Sequence, residues 1–131
     1  MDKVINDEEL LMLAKKAKAN SNAKFSNFHV GAALLTKDGK VYTGCNLENP
    51  SLSLSVCAER VAFYKALSEG ERDFVKIAVV CDDASLCSPC GACRQVIYEF
   101  APKIDVIMTG EGGAKTVNIT DLLPFPFEAA L

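Results

Sequence analysis

Cys57, Cys90 and Cys93 are the residues of this 131-residue chain best suited to chemistry. Cys90 and Cys93 form Cys-x-x-Cys directly after Pro89, and 32 residues separate Cys57 from Cys90 (90 − 57 − 1 = 32). Where thiols stay reduced, cysteine at regular spacing marks metal binding or catalysis more often than a disulfide. Three thiolates around zinc leave a fourth position open, as a catalytic site requires. Zn²⁺ with three thiolates carries a net charge of −1 and polarises water poorly, so something positive must compensate. Arg60 lies three residues after Cys57, on the same side of a helix, where it can hydrogen-bond the thiolates. Glu59, two residues after Cys57, can lean over a metal without joining its ligands. A carboxylate so placed can take a proton from water activated there and hand it to a substrate.

Elements must bring these residues together. Residues 7–20 read as an amphipathic helix, with Leu10, Leu13, Ala14 and Ala17 at helical spacing and Asn6 with Glu9 as a start signal. Lysines 15, 16 and 18 read as a solvated face. The apolar run 28–36, the turn Lys37-Asp38-Gly39 and the run 40–48 read as a hairpin. Residues 57–69 fit a second helix ended by Gly70. A strand over 74–81, a helix over 91–100 and a strand over 104–109 follow. Glu111-Gly112-Gly113 is a turn, 115–119 a weak edge strand, and 121–123 a short helical turn. The order α-β-β-α-β-α-β-β predicts one α/β domain, residues 1–131, with helices on both faces of the sheet. Cys57 and Cys90 both fall at helix starts, where the dipole favours the thiolate that binds zinc.

Composition narrows the partners. Half the chain is hydrophobic and the net charge is −3. Such a chain can form a core without disulfides and lacks the basic footprint of a nucleic-acid binder. Binding to an anionic membrane is not expected either. The first residues lack a signal-peptide pattern, and the apolar runs fall far short of the roughly 20 residues of a membrane helix. A cytoplasmic protein acting on a small molecule is the expectation.

Cys57-Ala58-Glu59 followed by Pro89-Cys90-Gly91-Ala92-Cys93 resembles the zinc-dependent nucleoside deaminases, and the hydrolytic mechanism comes with that resemblance. Phe28-His29-Val30-Gly31-Ala32-Ala33, Gly44-Cys45-Asn46-Leu47-Glu48-Asn49 and Gly91-Ala92-Cys93-Arg94-Gln95 extend the likeness over roughly residues 8–127. Together they are similar to the small homotetrameric cytidine deaminases with three zinc-binding cysteines. The resemblance implies a three-layer α/β/α fold around a mixed sheet of about five strands. It implies Zn²⁺ held by Cys57, Cys90 and Cys93, with Glu59 as the catalytic proton carrier. It implies deamination of cytidine and deoxycytidine, releasing ammonia, in pyrimidine salvage. Asn46 and Glu48 share a strand face and by resemblance bind the ribose hydroxyls. Phe28 matches the family Phe that packs beside the base, and Ala58, just before Glu59, is the candidate backbone partner for the amide edge of the pyrimidine. Phe127, in the tail Leu122-Leu123-Pro124-Phe125-Pro126-Phe127, takes the position of the family aromatic that enters a neighbouring subunit's site.

Some residues depart from the pattern or fall outside it. Lys24-Phe25-Ser26-Asn27-Phe28 replaces the family's Pro-Tyr-Ser-Lys-Phe, and Leu52 stands where a Tyr is often found. His29 has no expected catalytic role. Cys45 and Cys81 read as small core residues, and Cys87 as a third spectator. Cys87 leaves two alternatives open: a closed structural zinc site of four cysteines, or an iron–sulfur pattern that lacks its fourth Cys-Pro. A modified or antibiotic nucleoside is the alternative substrate.

Overall fold

A computed structural model describes residues 5–82 and 85–129. Helix α1 spans Asp7–Lys18, and the Asn6 side chain accepts a hydrogen bond from the Glu9 amide at 2.8 Å. Strands β1 (Val30–Thr36) and β2 (Val41–Cys45) form the expected hairpin, with Gly39 at φ 89° in its turn. Helix α2 (Ala58–Ser68), strand β3 (Phe74–Cys81), helix α3 (Gly91–Phe100) and strand β4 (Asp105–Gly110) follow. Strand β5 (Gly113–Asn118) and the short helix α4 (Ile119–Leu122) complete the order. A single 3-10 turn at Leu52–Leu54, inside the serine-rich loop, was not anticipated.

The five strands form one mixed sheet in the order β2-β1-β3-β4-β5. Only β3 and β4 are parallel, as their connection through α3 requires. Alternation along the strands divides the core in two. Ala32, Leu34, Ile77, Val79, Val106 and Met108 face the side carrying α2 and α3. Ala33, Leu35, Ala78, Val80 and Ile107 face α1, where they pack on Leu10 and Ala14. The three-layer α/β/α expectation is thus met. Among the described residues, no helix is long and apolar enough to cross a membrane.

Both hairpin strands are shorter than the apolar runs suggested. The cause is Asn46. Its side-chain Oδ1 accepts from the Val30 amide at 2.8 Å, and its Nδ2 donates to the Phe28 carbonyl at 2.8 Å. A side-chain amide therefore replaces the strand ladder just beyond Cys45. Residues 46–48 continue past the strand, with Leu47 bridging to Asn22 and Val56.

Two glycines set how closely the helices lie on the sheet. A Cβ on Gly31 would stand 2.0 Å from the Ala14 carbonyl oxygen of α1. A Cβ on Gly44 would stand 2.3 Å from the Ala58 carbonyl oxygen and 2.6 Å from the Ala62 amide of α2. Gly44 thus lets the first turn of α2 rest on β2. Gly44→Ala should lift that turn, lower stability by about 1–3 kcal/mol and reduce bound zinc. Urea unfolding with metal analysis checks this; wild-type values for both would refute the close-packing argument.

Candidate active site

Two helix N-termini meet beyond the ends of the parallel strands. Cys57 is the N-cap residue of α2 and Cys90 that of α3, and neither side chain caps its own helix. Cys93 lies in the first turn of α3, buried. The sulfurs of Cys57, Cys90 and Cys93 all lie within 4.8 Å of one another, with Cys57 Sγ and Cys90 Sγ 3.8 Å apart. That spacing matches the edge of a tetrahedron with Zn–S bonds of about 2.3 Å, which is about 3.8 Å. The donor set is all sulfur, which suits zinc.

Charge compensation is visible. Arg60 Nη2 donates to Cys57 Sγ at 3.5 Å. Its Nε is buried with no protein acceptor, so the guanidinium sits deep against the cluster. A hydrogen bond from Cys93 and the Arg60 contacts bring the Cys57 thiol down to about 5, so it is a thiolate at neutral pH. The same bond with Cys57, reinforced by burial, pushes Cys93 up. Glu59 is only 4 % exposed, and burial pushes its carboxyl up to about 7, helped by the Cys57 thiolate. A carboxyl poised there exchanges protons at neutral pH.

The cluster opens onto a cavity of about 440 Å³, in the range of small-molecule sites. Phe28, Asn46, Glu48, Ala58, Glu59 and Arg60 all line it, as do Cys57 and Cys90. Glu48 Oε1 accepts from the amides of Phe25 at 2.9 Å and Ser26 at 3.0 Å, and Oε2 accepts from the Ser26 hydroxyl. Those bonds hold its carboxyl below the usual range. Phe127 is not among the cavity residues. It lies 73 % exposed, with its backbone N–H and carbonyl bonded to the Gln95 side chain at 3.1 and 2.8 Å.

Sequence reasoning missed Ser26, Leu86 and Val79 in the cavity wall. It also missed how Arg94 works: Nε donates to the Pro89 carbonyl at 2.8 Å, Nη1 to the Leu122 carbonyl at 2.7 Å and Nη2 to Ser88 Oγ at 2.5 Å. That fork fixes the loop before Cys90. An Arg four residues past a helix-capping Cys was the available signal. His29 Nδ1 pairs with Ser21 Oγ at 2.7 Å, away from the thiols. Lys18, expected on a solvated face, instead pairs with Asp82 at 3.0 Å.

A further expectation fails. Cys81 and Cys87 are not free spectators but a disulfide. The Cys87 amide donates to the Thr109 carbonyl at the end of β4, 2.8 Å away. This brings Cys87 beside the end of β3, with a Cα–Cα distance of 5.9 Å to Cys81, inside disulfide range. Cys87 is thereby withdrawn from the cluster, which speaks against a closed four-cysteine site.

The comparisons agree with this geometry. The family model described as the cytidine and deoxycytidylate deaminase zinc-binding region matches residues 4–109. The chain is 47 % identical over 122 residues to a cytidine deaminase of Sporosarcina psychrophila, covering 92 % of this chain and 90 % of that one. It is 46 % identical to a cytidine deaminase of Halalkalibacterium halodurans, covering 92 % of each. The crystal structure of cytidine deaminase from Burkholderia pseudomallei superposes with a TM-score of 0.91 at 45 % identity, covering 94 % of this chain and all of that one. The chain belongs to the zinc-binding cytidine and deoxycytidylate deaminase family.

Metal analysis separates the ligands from the disulfide pair. Cys87→Ala should keep about one zinc per chain, and Cys90→Ala should lose most of it. Loss of zinc from Cys87→Ala would show that the fourth cysteine does take part.

Proposed function

We propose that this protein is a cytidine deaminase, a single catalytic domain over residues 1–131 that works in the cytoplasm in pyrimidine salvage. It hydrolyses cytidine to uridine and deoxycytidine to deoxyuridine. Water adds to C4, the C4–N bond breaks, and ammonia leaves. The observation that carries this reading is Glu59, a buried carboxyl poised near 7 beside three clustered thiols on the wall of one cavity.

Zinc on Cys57, Cys90 and Cys93 supplies Lewis acidity and lowers the pKa of water. The chain's own residues do the rest. Glu59 takes one proton from the attacking water and gives it to the ring nitrogen, then takes the second from the hydroxyl formed at C4 and gives it to the departing amino group as the C4–N bond breaks. Arg60 offsets the thiolate charge, which keeps the metal acidic enough. Ala58 is the first residue of α2. Its N–H has no partner one turn back and serves the pyrimidine carbonyl. The Phe28 ring flanks the base, and Asn46 and Glu48 receive the ribose hydroxyls.

Phe127 belongs to assembly. Its ring is exposed while Gln95 pins its backbone. A ring held out this way suits insertion into the site of a neighbouring subunit in a homotetramer.

Glu59→Ala should keep its zinc and lose at least about two orders of magnitude in kcat. Retention of most activity would sink the proton-carrier role. A mixing experiment tests assembly. Hetero-oligomers of Glu59→Ala and Phe127→Ala subunits should regain activity that neither variant has alone, because intact Phe127 from one subunit completes the site of the other. No gain on mixing would place Phe127 in its own subunit's site or outside the chemistry.

A further inference from the structure

We propose that Ser26 is a positioning residue for the nucleoside, setting the sugar-binding carboxylate of Glu48 relative to the wall built by Phe28. This deepens the reading of the cavity as a nucleoside site and rests on it.

The geometry is local and closed. The Ser26 hydroxyl donates to Glu48 Oε2 and accepts from the Phe28 amide at 3.0 Å. The Ser26 amide donates to Glu48 Oε1 at 3.0 Å, beside the Phe25 amide at 2.9 Å. One residue thus supplies two of the three donors that hold this carboxylate. Ser26, Phe28 and Glu48 all line the cavity.

The backbone is bent to make this possible. Asn27, between Ser26 and Phe28, has φ 55° and is the one non-glycine residue with positive φ among the described residues. Asn adopts that left-handed region more readily than most residues. Its amide bonds the Ala23 carbonyl at 2.9 Å, which closes the turn. The turn brings the Phe28 amide round to the Ser26 hydroxyl.

The consequence concerns Glu48's capacity to accept. A carboxylate has about four acceptor positions. Three are filled by residues 25 and 26. What remains is one oriented position for one sugar hydroxyl. Without the Ser26 hydroxyl, the carboxylate can rotate and the Phe28 amide loses its acceptor. Sugar binding should weaken, while the groups around C4 stay where they are.

Steady-state kinetics on the zinc-loaded enzyme tests this. Ser26→Ala should raise KM for cytidine roughly five- to tenfold, the scale of one ordinary intramolecular hydrogen bond, with kcat within about twofold. Ser26→Thr, which keeps the hydroxyl, should restore KM. In a Glu48→Gln background the Ser26→Ala effect should largely vanish, because the two act as one unit. Ser26→Cys, close in shape with a weaker donor, gives the same reading if Ser26→Ala does not fold. An unchanged KM, a fall in kcat alone, or an equal effect in the Glu48→Gln background would overturn the proposal. Wild-type protein that does not deaminate cytidine would overturn the functional reading and this inference with it. Wild-type activity with an unaltered variant would overturn this inference alone.

Discussion

Three thiols brought within 4.8 Å of one another accumulate negative charge that the fold must offset. It does so with two helix ends and one guanidinium. Cys57 and Cys90 stand at the N-cap positions of α2 and α3, so the partial positive ends of both helices aim at the cluster. Arg60, one turn into α2, adds a full charge. The same convergence places Glu59 on the first turn of α2, buried enough that its carboxyl moves to about 7. Cys57, Glu59 and Arg60 therefore all come from one four-residue segment. A shift of the α2 N-terminus would disturb all three together.

The rest of the molecule holds those two helix ends still. Gly44 lets α2 sit close on β2, and the parallel pair β3–β4 sets α3 through its crossover. Arg94 ties the loop before Cys90 to the Leu122 carbonyl, so the chain's last segment also braces the cluster. The Cys81–Cys87 disulfide and the Cys87–Thr109 backbone bond anchor the same loop to the strand ends. On the far side of the cavity, Asn46 replaces the strand ladder with its side chain. Its two polar atoms serve the backbone of residues 28 and 30 while the residue still lines the cavity, so scaffold and site overlap there.

Much of this was legible in the sequence, for reasons that differ by element. β3 was placed to the residue and α3 near its bounds, because one is a continuous apolar run and the other starts at Pro-Cys and stops before Pro102. That Cys57, Cys90 and Cys93 come together with Glu59 and Arg60 beside them was legible because helix starts and spacing fix which residues share a face. The hairpin limits were not, because Asn46 ended the strands by a side-chain bond that periodicity does not register. The disulfide was missed because it depends on the Cys87 amide reaching a strand that lies some twenty residues later in the chain. The Ser26–Glu48 contact was missed for a related reason: it spans 22 residues and depends on the positive φ of Asn27.

The central claim is that this thiol cluster, with Glu59 beside it, makes the cavity a hydrolytic site for cytosine nucleosides. The most direct measurement is ultraviolet monitoring of cytidine in the presence of purified, zinc-loaded protein, with ammonia assayed in parallel. Stoichiometric conversion to uridine and ammonia, abolished by a strong chelator and restored by added zinc, is the predicted result. Zinc-loaded, folded protein that leaves cytidine and deoxycytidine unchanged would contradict it.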